Sequence, residues 1–514
     1  MTAVSDALPP VPDPALVSAL AADLDAADFR SEPLRRLWGE EADDALGRGV
    51  REPLLRAIAR DMGALATLGR LLVLGMPQPQ QLVAAALPRL GVDGLVGLGL
   101  ALLVDEEGAD EVDVAPAALI RPQSFVDADG IGEWWIASDL DELALGTELP
   151  ADHVLGVGGA SRTLAELVVP VPVARALDLG TGCGIQALLV ARHAGEVVAT
   201  DISARALAFA ELNARLNGAG NITFRQGSMF EPVENEAFDL IVSNPPFVIT
   251  PRVEGVTAYE YRDGGLIGDA LVEQFVRSVA AHLRPGGIAQ LLGNWESGAA
   301  PGLERLESWI APDLDAWVIE REELTPLGYA ELWIRDGGTT PRDASFGRML
   351  EAWLDDFTAR GVTAVGFGYV LLRRPDASRG SAGRDPLRRF EKLSQPLSGT
   401  GRALRDGLAA HDALADGIAQ TLVTASDVTE ARHYMPGNDD PSVIELRQGG
   451  GFGRTVAVDS ALAGFVGACD GELTVSQIAA ALADLFEVPL AELWKELEPR
   501  IRDLVRDGFL VTAS

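Results

Sequence analysis

The sequence predicts an α/β fold, with a central, mostly parallel twisted sheet flanked by helical or winged-helix-like modules at both ends. Three observations lead there. Between about Ala174 and Trp295, short apolar runs alternate with segments of helical spacing, the pattern of parallel strands joined by crossover helices. The first run, "ARALDLG", enters three glycines at alternate positions, Gly180, Gly182 and Gly184. The next, "EVVATD", ends on an acid, Asp201.

Each element follows in chain order. Leu and Ala recur at helical spacing from 15 to about 115, with short strands near 99–104 and 111–119, which predicts a helical or winged-helix-like module over 1–120. Residues 121–172 read as a connecting segment. Its adjacent Trp134 and Trp135 are assigned to a core or interdomain contact in preference to a substrate entrance. The α/β domain covers 173–375. It holds strand "ARALDLG", a helix from Ile185, strand "EVVATD", a helix from Ala204, strands "ITFRQG" and "FDLIVSN", a helix from about Ala270 and strand "GIAQLLGNW". The stretch containing "AWVIERE", "LGYAELWIRD", a helix over 343–360 and "VTAVGFGYVLLRR" supplies the remaining sheet edge. Gly, Ser and Pro in "RRPDASRGSAGRDPLRRFEK" predict a linker over 376–395. Residues 396–514 give a helix, a hairpin turning at Gly449–Gly453, three helices and a last strand "GFLVT", a second winged-helix-like module.

Composition narrows the class. A chain of 514 residues, 47% hydrophobic and 23% charged, can bury several cores. The apolar stretch "LVGLGLALLV" at 95–104 is about half the length of a spanning helix, so no membrane partner is expected. The N-terminus has neither a basic n-region nor an apolar h-region, and a cytoplasmic location is expected. Cys183 and Cys469 lie far apart, and the histidines at 153, 193, 282, 411 and 433 have no ligand spacing. Neither a disulfide nor a metal site is expected, and Cys183 is read as a small packing residue. The formal charge of -34 repels phosphate backbones. One basic cluster, Arg373, Arg374, Arg379, Arg384, Arg388, Arg389 and Lys392, falls on the expected linker and is read as a solvated tether.

The chemistry sits at the glycines. A strand running into a glycine turn can bring bare backbone amides and a helix N-terminus against a ligand. A dinucleotide fingerprint would place its third glycine at 185, which is Ile185; the pattern here is Asp178-x-Gly180-x-Gly182-x-Gly184. It resembles that of the Rossmann-like class I S-adenosylmethionine-dependent methyltransferases. The resemblance implies S-adenosylmethionine as cofactor, with the turn at its methionine part and Asp201 on the ribose hydroxyls, two acceptor oxygens for two vicinal donors. Asp178, Gly180, Thr181, Gly182, Gly184, Asp201, Ile202, Ser228, Met229 and Asn244 are the implied cofactor residues. Ser228 stands where an acidic residue often contacts the adenine amino group.

The run "FDLIVSNPPFVIT" then stops an apolar strand at Asn244-Pro245-Pro246-Phe247. Two prolines fix their own φ and push the residue before them toward extended geometry, so the Asn244 side chain is aimed. The nitrogen of an amide or aromatic amine has a delocalised lone pair and two N–H donors. The side-chain carbonyl of Asn244 and the backbone carbonyl of Pro245 can accept both, and Phe247 can stack on the planar group. Asn244, Pro245, Pro246 and Phe247 are the expected catalytic set. Here the chain resembles the amino-methylating subgroup with Asn/Asp-Pro-Pro-aromatic, and most closely the HemK-type glutamine methyltransferases. "LDLGTGCG", "VVATDIS", "FDLIVSNPPF" and "YRDGGLIGDALVEQFVRSVAAHLRPGG" carry that likeness over residues 174–295. Phe247 replaces the commoner tyrosine. The resemblance implies methyl transfer to a planar nitrogen, favouring a protein glutamine amide. Two alternatives stay open: an exocyclic amine of RNA or DNA, which the net charge disfavours, and a non-catalytic cofactor-binding scaffold.

Overall fold

The computed structural model describes residues 8–105, 112–127, 130–146, 149–253, 262–376 and 385–513. The N-terminal module runs α1 (Pro14–Ala26), α2 (Ser31–Trp38), α3 (Glu40–Leu46), α4 (Glu52–Ile58), α5 (Ala64–Leu68), β1 (Gln78–Pro79), α6 (Gln80–Ala86), α7 (Gly91–Gly97), β2 (Ala101–Val104) and β3 (Asp113–Pro116). Its strands form a small antiparallel sheet in the order β1-β3-β2. Asp13 opens α1 by accepting the amides of Ala15 and Leu16, and Leu20, Leu24, Phe29 and Leu54 fill the core beneath it.

Residues 121–172 are more than a connector. β4 (Leu119–Asp127) and β5 (Gly130–Ser138) form a long hairpin, followed by α8 (Glu142–Leu145) and α9 (Gly159–Leu167). Trp134 and Trp135 are buried on β5, and Trp135 Nε1 donates to the carbonyl of Phe29 at 2.6 Å. Both indoles therefore weld the hairpin to the N-terminal module.

The central sheet has the order β13-β11-β12-β10-β9-β6-β7-β8. Its strands are β6 (Val173–Leu179), β7 (Ala194–Asp201), β8 (Ile222–Gln226), β9 (Phe238–Ser243), β10 (Leu283–Ser297), β11 (Asp315–Leu324), β12 (Ala364–Arg373) and β13 (Arg388–Lys392). β8, β7, β6, β9 and β10 are mutually parallel, whereas β12 runs antiparallel between β10 and β11. Ala176, Leu177, Val197, Val198, Leu240 and Ile241 are fully buried because helices cover both faces of the sheet. Those nearest the site are α10 (Ile185–Ala191), α11 (Ala204–Leu216) and α12 (Ala270–Ser278).

Three expectations are corrected. "LGYAELWIRD" is not sheet but α14 (Pro326–Asp336), following α13 (Gly302–Trp309) and preceding α15 (Phe346–Arg360); Thr325 caps it on the amide of Gly328 at 3.2 Å, with Pro326 at its first position. The expected linker 376–395 contains β13, which pairs in parallel with β11 and extends the sheet. Its basic residues are not a solvated tether either. Arg373 meets Asp315 at 2.7 Å and Asp412 at 2.6 Å, Arg389 meets Asp507 at 2.5 Å, and Lys392 meets Glu320 at 2.6 Å. An open strand edge and carboxylates such as the buried Asp315 and Glu320 recruit a segment whose composition alone reads as coil. Arg379 and Arg384 lie outside the described residues.

The C-terminal residues are likewise joined to the sheet. α16 (Thr400–Leu414) lays Leu404 and Leu408 on the same core as Trp317 and Ile319, and Gly401 comes so close to the Val168 carbonyl that a Cβ would stand 2.3 Å from it. Beyond it the hairpin of Val443–Gln448 and Thr455–Val458, three helices and the strand Leu510–Thr512 enclose their own core.

One helix ties the parts together. Asn213 and Asn217 stand one turn apart on the end of α11 and offer their amides to β5 as a neighbouring strand would. Asn213 accepts from Ala137 N at 2.7 Å and donates to Ala137 O at 2.9 Å; Asn217 does the same for Trp135 at 2.9 and 2.8 Å. Asn213 also donates to the carbonyl of Cys183 in the glycine turn at 2.8 Å. Replacing it with alanine strands these buried backbone groups. Asn213→Ala should lower stability by about 1–3 kcal/mol, read as a drop in the thermal midpoint. An unchanged midpoint would mean that the amide does not hold the hairpin.

Candidate functional site

β6, β7 and β9 all end on the same edge of the sheet. β7 leaves β6 on one side and β9 returns on the other, so the order reverses there and a crevice opens beyond the carboxyl ends. A cleft of about 610 Å³ lies in that place, within the range that holds a small-molecule ligand. Gly180, Thr181, Gly182, Asp201, Ile202, Ser228, Met229 and Asn244 line it. The structure therefore brings together expected residues from four separate strand ends, those of β6, β7, β8 and β9.

The glycine turn is shaped for close approach. Gly180 (φ 74°) and Gly182 (φ 55°) are left-handed, and a Cβ built on either would meet nothing within 4 Å, so their bare backbone faces open space. Gly184 differs. Its φ is 86°, and a Cβ there would stand 3.0 Å from that of Ala210, so this glycine packs the start of α10 against α11 and is absent from the cleft wall.

The two acids have different surroundings. Asp178 is fully buried behind the turn and accepts from the Thr181 hydroxyl at 2.6 Å; burial pushes its carboxyl up to about 7, against the opposing pull of that hydroxyl and the Ala187 amide. It braces the turn and does not line the cleft. Asp201 does line it, accepting the amides of Gly182 and Ser203 at 2.9 Å each. Burial raises its carboxyl as well, opposed by the amides of Gly182, Ser203 and Ile202. Each oxygen keeps a lone pair for a further donor. Beside it Ile202 is 64% exposed, an apolar face suited to a flat ring. Met229, with φ 49° in a region that side chains seldom adopt, closes that wall with Ser228. Bare glycine backbone, an acid with spare acceptors and an exposed aliphatic side chain together suit the nucleoside and amino-acid halves of S-adenosylmethionine.

Asn244, Pro245 and Pro246 form the opposite wall. Asn244 Nδ2 reaches the Ser161 hydroxyl at 3.5 Å, and its Oδ1 is buried with no hydrogen-bond partner among the described residues. An unpaired buried carbonyl is costly and marks an acceptor held for a donor. The chain after it is pinned. Ile249 N donates to the buried Tyr329 hydroxyl at 3.0 Å, and Val248 N donates to Arg262 O at 2.8 Å. Phe247 is not among the residues that line the cleft: its ring lies 5.5 Å from Phe367 and packs, partly buried, on three apolar clusters.

The sequence reading missed the roof of the site. Asp152, His153, Val154, Leu155 and Gly156, from the connecting segment, line the cleft opposite the turn. Asp139 holds them by accepting from Val154 N and Arg205 Nε, both at 2.8 Å, and burial keeps the His153 imidazole below its ordinary pKa, against the opposing pull of Asp139. Ser161 and Asp263 were also unassigned. No short motif joins these residues, and only the hairpin's docking brings them over the cleft.

Residues 26–114 match the family described as Domain of unknown function (DUF7059), and residues 156–308 match the methyltransferase small domain. The release factor glutamine methyltransferase of Xylella fastidiosa (strain Temecula1) is 42% identical over 137 residues, 24% of this chain and 49% of that protein. A Methanocaldococcus jannaschii protein, provisionally named a protein N5-glutamine methyltransferase, is 31% identical over 134 residues, 26% of this chain and 67% of that protein. The ribosomal protein uL3 glutamine methyltransferase of Bradyrhizobium diazoefficiens is 36% identical over 152 residues, 27% of this chain and 46% of that protein. The chain spans about half the length of the release factor methyltransferases it matches.

Proposed function

The chain belongs to the class I methyltransferases of the small-domain family, beside the HemK-type glutamine methyltransferases, and from that premise we propose that it methylates a protein glutamine side-chain amide. The observation that carries this reading is the unpaired, buried Oδ1 of Asn244 at the end of β9, on a chain stiffened by Pro245 and Pro246. S-adenosylmethionine, when bound, supplies an electrophilic methyl group on a sulfonium.

The residues of this chain bind and orient. Gly180 and Gly182 take the amino-acid end of the cofactor against bare backbone, Asp201 accepts the ribose hydroxyls, and Ile202, Ser228 and Met229 flank the base. Asn244 Oδ1 and the Pro245 carbonyl accept the two N–H groups of the acceptor amide, which turns the nitrogen lone pair out of the amide plane's conjugation and toward the methyl donor. The Ser161 hydroxyl holds Asn244 Nδ2 so that the oxygen, not the nitrogen, serves the acceptor. Phe247 contributes by packing, fixing the chain that follows Asn244.

The basic residues support a protein acceptor over the nucleic-acid alternative. Arg373, Arg389 and Lys392 are consumed by internal carboxylates. A nucleic-acid substrate making about six phosphate contacts would lose roughly a thousandfold in affinity between about 50 and 200 mM salt. Tritium-methyl label transferred to lysate should instead survive nuclease and change only a few-fold over that range. Label that vanishes with nuclease would retire the amide acceptor and leave the fold, the cofactor and the nitrogen chemistry.

A further inference from the structure

α10, "IQALLVA", is apolar but for one residue, Gln186. That side chain is 3% exposed and lines the cofactor cleft two residues beyond Gly184. Its Nε2 donates to the main-chain carbonyl of Ser161 at 2.7 Å, which fixes the nitrogen end of the amide on that carbonyl and turns Oε1 away from it. Oε1 is buried and has no hydrogen-bond partner among the described residues. The fold can satisfy a buried glutamine at both ends. Gln290, 2% exposed, accepts from Val169 N at 2.7 Å and donates to Leu167 O at 2.5 Å. Burying an unpaired amide oxygen is costly, and a leucine or methionine at 186 would fill similar space without that cost. An acceptor kept unpaired in a ligand cleft points to a donor on the ligand.

Resting on the S-adenosylmethionine reading of the cleft, we propose that Gln186 Oε1 receives the α-ammonium group of the cofactor and so selects its intact amino-acid end. An amide oxygen only accepts, so of the two charged groups at that end it suits the ammonium and repels the carboxylate. The other acceptors of the wall are engaged. Asp201 serves the amides of Gly182 and Ser203 together with the ribose, and Asp263 pairs with Arg252 at 2.9 Å and accepts the Gly265 amide at 3.0 Å. Asp152 is exposed on the roof, across the cleft from the turn. Asn244 Oδ1 belongs to the acceptor amide. A hydrogen bond from a charged donor is about twice as strong as one between neutral groups, which offsets the cost of holding Oε1 unpaired in the empty site. The nitrogen end of the same side chain holds Ser161, whose hydroxyl faces Asn244, so Gln186 joins the cofactor side of the site to the acceptor side.

The test is calorimetric and uses the full chain. S-adenosylhomocysteine is compared with its deaminated analogue, which keeps the carboxylate and lacks the α-ammonium, in the wild type and in Gln186→Met, unbranched and of similar length. The substitution should weaken S-adenosylhomocysteine at least about tenfold, the scale of a hydrogen bond to a charged group, and leave the analogue within about twofold. The analogue thus reports whether the variant is folded and whether Ser161 has moved, since either fault weakens both ligands. Gln186→Leu repeats the comparison with a second apolar side chain. An equal loss for the two ligands in both variants would overturn the ammonium contact and leave Gln186 as a support for Ser161. Unchanged affinity for both would overturn it too, with the cofactor site standing. Failure of the wild-type chain to bind S-adenosylhomocysteine would overturn the cofactor reading itself.

Discussion

Asn244→Ala should lower methyl transfer on the order of a hundredfold or more while affinity for S-adenosylmethionine stays within a few-fold. The side chain follows β9 at the cleft with a buried oxygen that has no partner among the described residues, and the proposed mechanism gives that oxygen to the acceptor amide. A preorganised acceptor of this kind contributes most when the lone pair of the amide nitrogen is freed, which is why its loss should appear in turnover more than in binding. Asn244→Asp is the informative companion: it keeps an acceptor oxygen but replaces the donor that faces Ser161, and should retain part of the rate. Single-turnover transfer and calorimetry with the same preparations read the two quantities. Wild-type turnover in Asn244→Ala would favour the non-catalytic scaffold.

Asp201→Ala should have the opposite profile, weakening S-adenosylmethionine and S-adenosylhomocysteine alike by about 1.5–3 kcal/mol, roughly tenfold to a hundred-and-fifty-fold. Two effects add. The ribose hydroxyls lose a charged acceptor, and the amides of Gly182 and Ser203 lose the carboxylate that holds the turn in place. Asp201→Asn, which keeps one carbonyl oxygen and the side-chain shape, should fall between. Unchanged affinity in the alanine variant would remove Asp201 from the ribose.

Much of the central domain was legible because its signals are local. A buried parallel strand needs a continuous apolar run, and the turn after it needs glycines wherever φ is positive, so Leu177, Gly180 and Gly182 announce themselves within a few positions. Asp201 and Asn244 are each the first polar residue to matter at a strand end. Gly184 was legible as a glycine but not in its purpose, since its neighbour Ala210 is reached only through the packing of α10 on α11. Phe247 shows the limit most directly. An aromatic after two prolines reads as a ring facing the substrate, yet Phe367, far along the chain on β12, offers it a partly buried apolar partner.

By itself the sequence determined the family chemistry: a glycine turn, an acid and an aimed asparagine, each fixed by backbone geometry over a few residues. Tertiary structure alone decided what surrounds them. It placed the β4–β5 hairpin as a roof through Asn213 and Asn217, set Arg388–Lys392, which follows a Gly- and Ser-rich stretch, on the sheet edge as β13, and laid α16 on the sheet. The physical reason is common to all three. Whether a backbone amide, an arginine or a leucine is satisfied by water or by a distant residue depends on which surfaces folding leaves unpaired, and no local pattern records that.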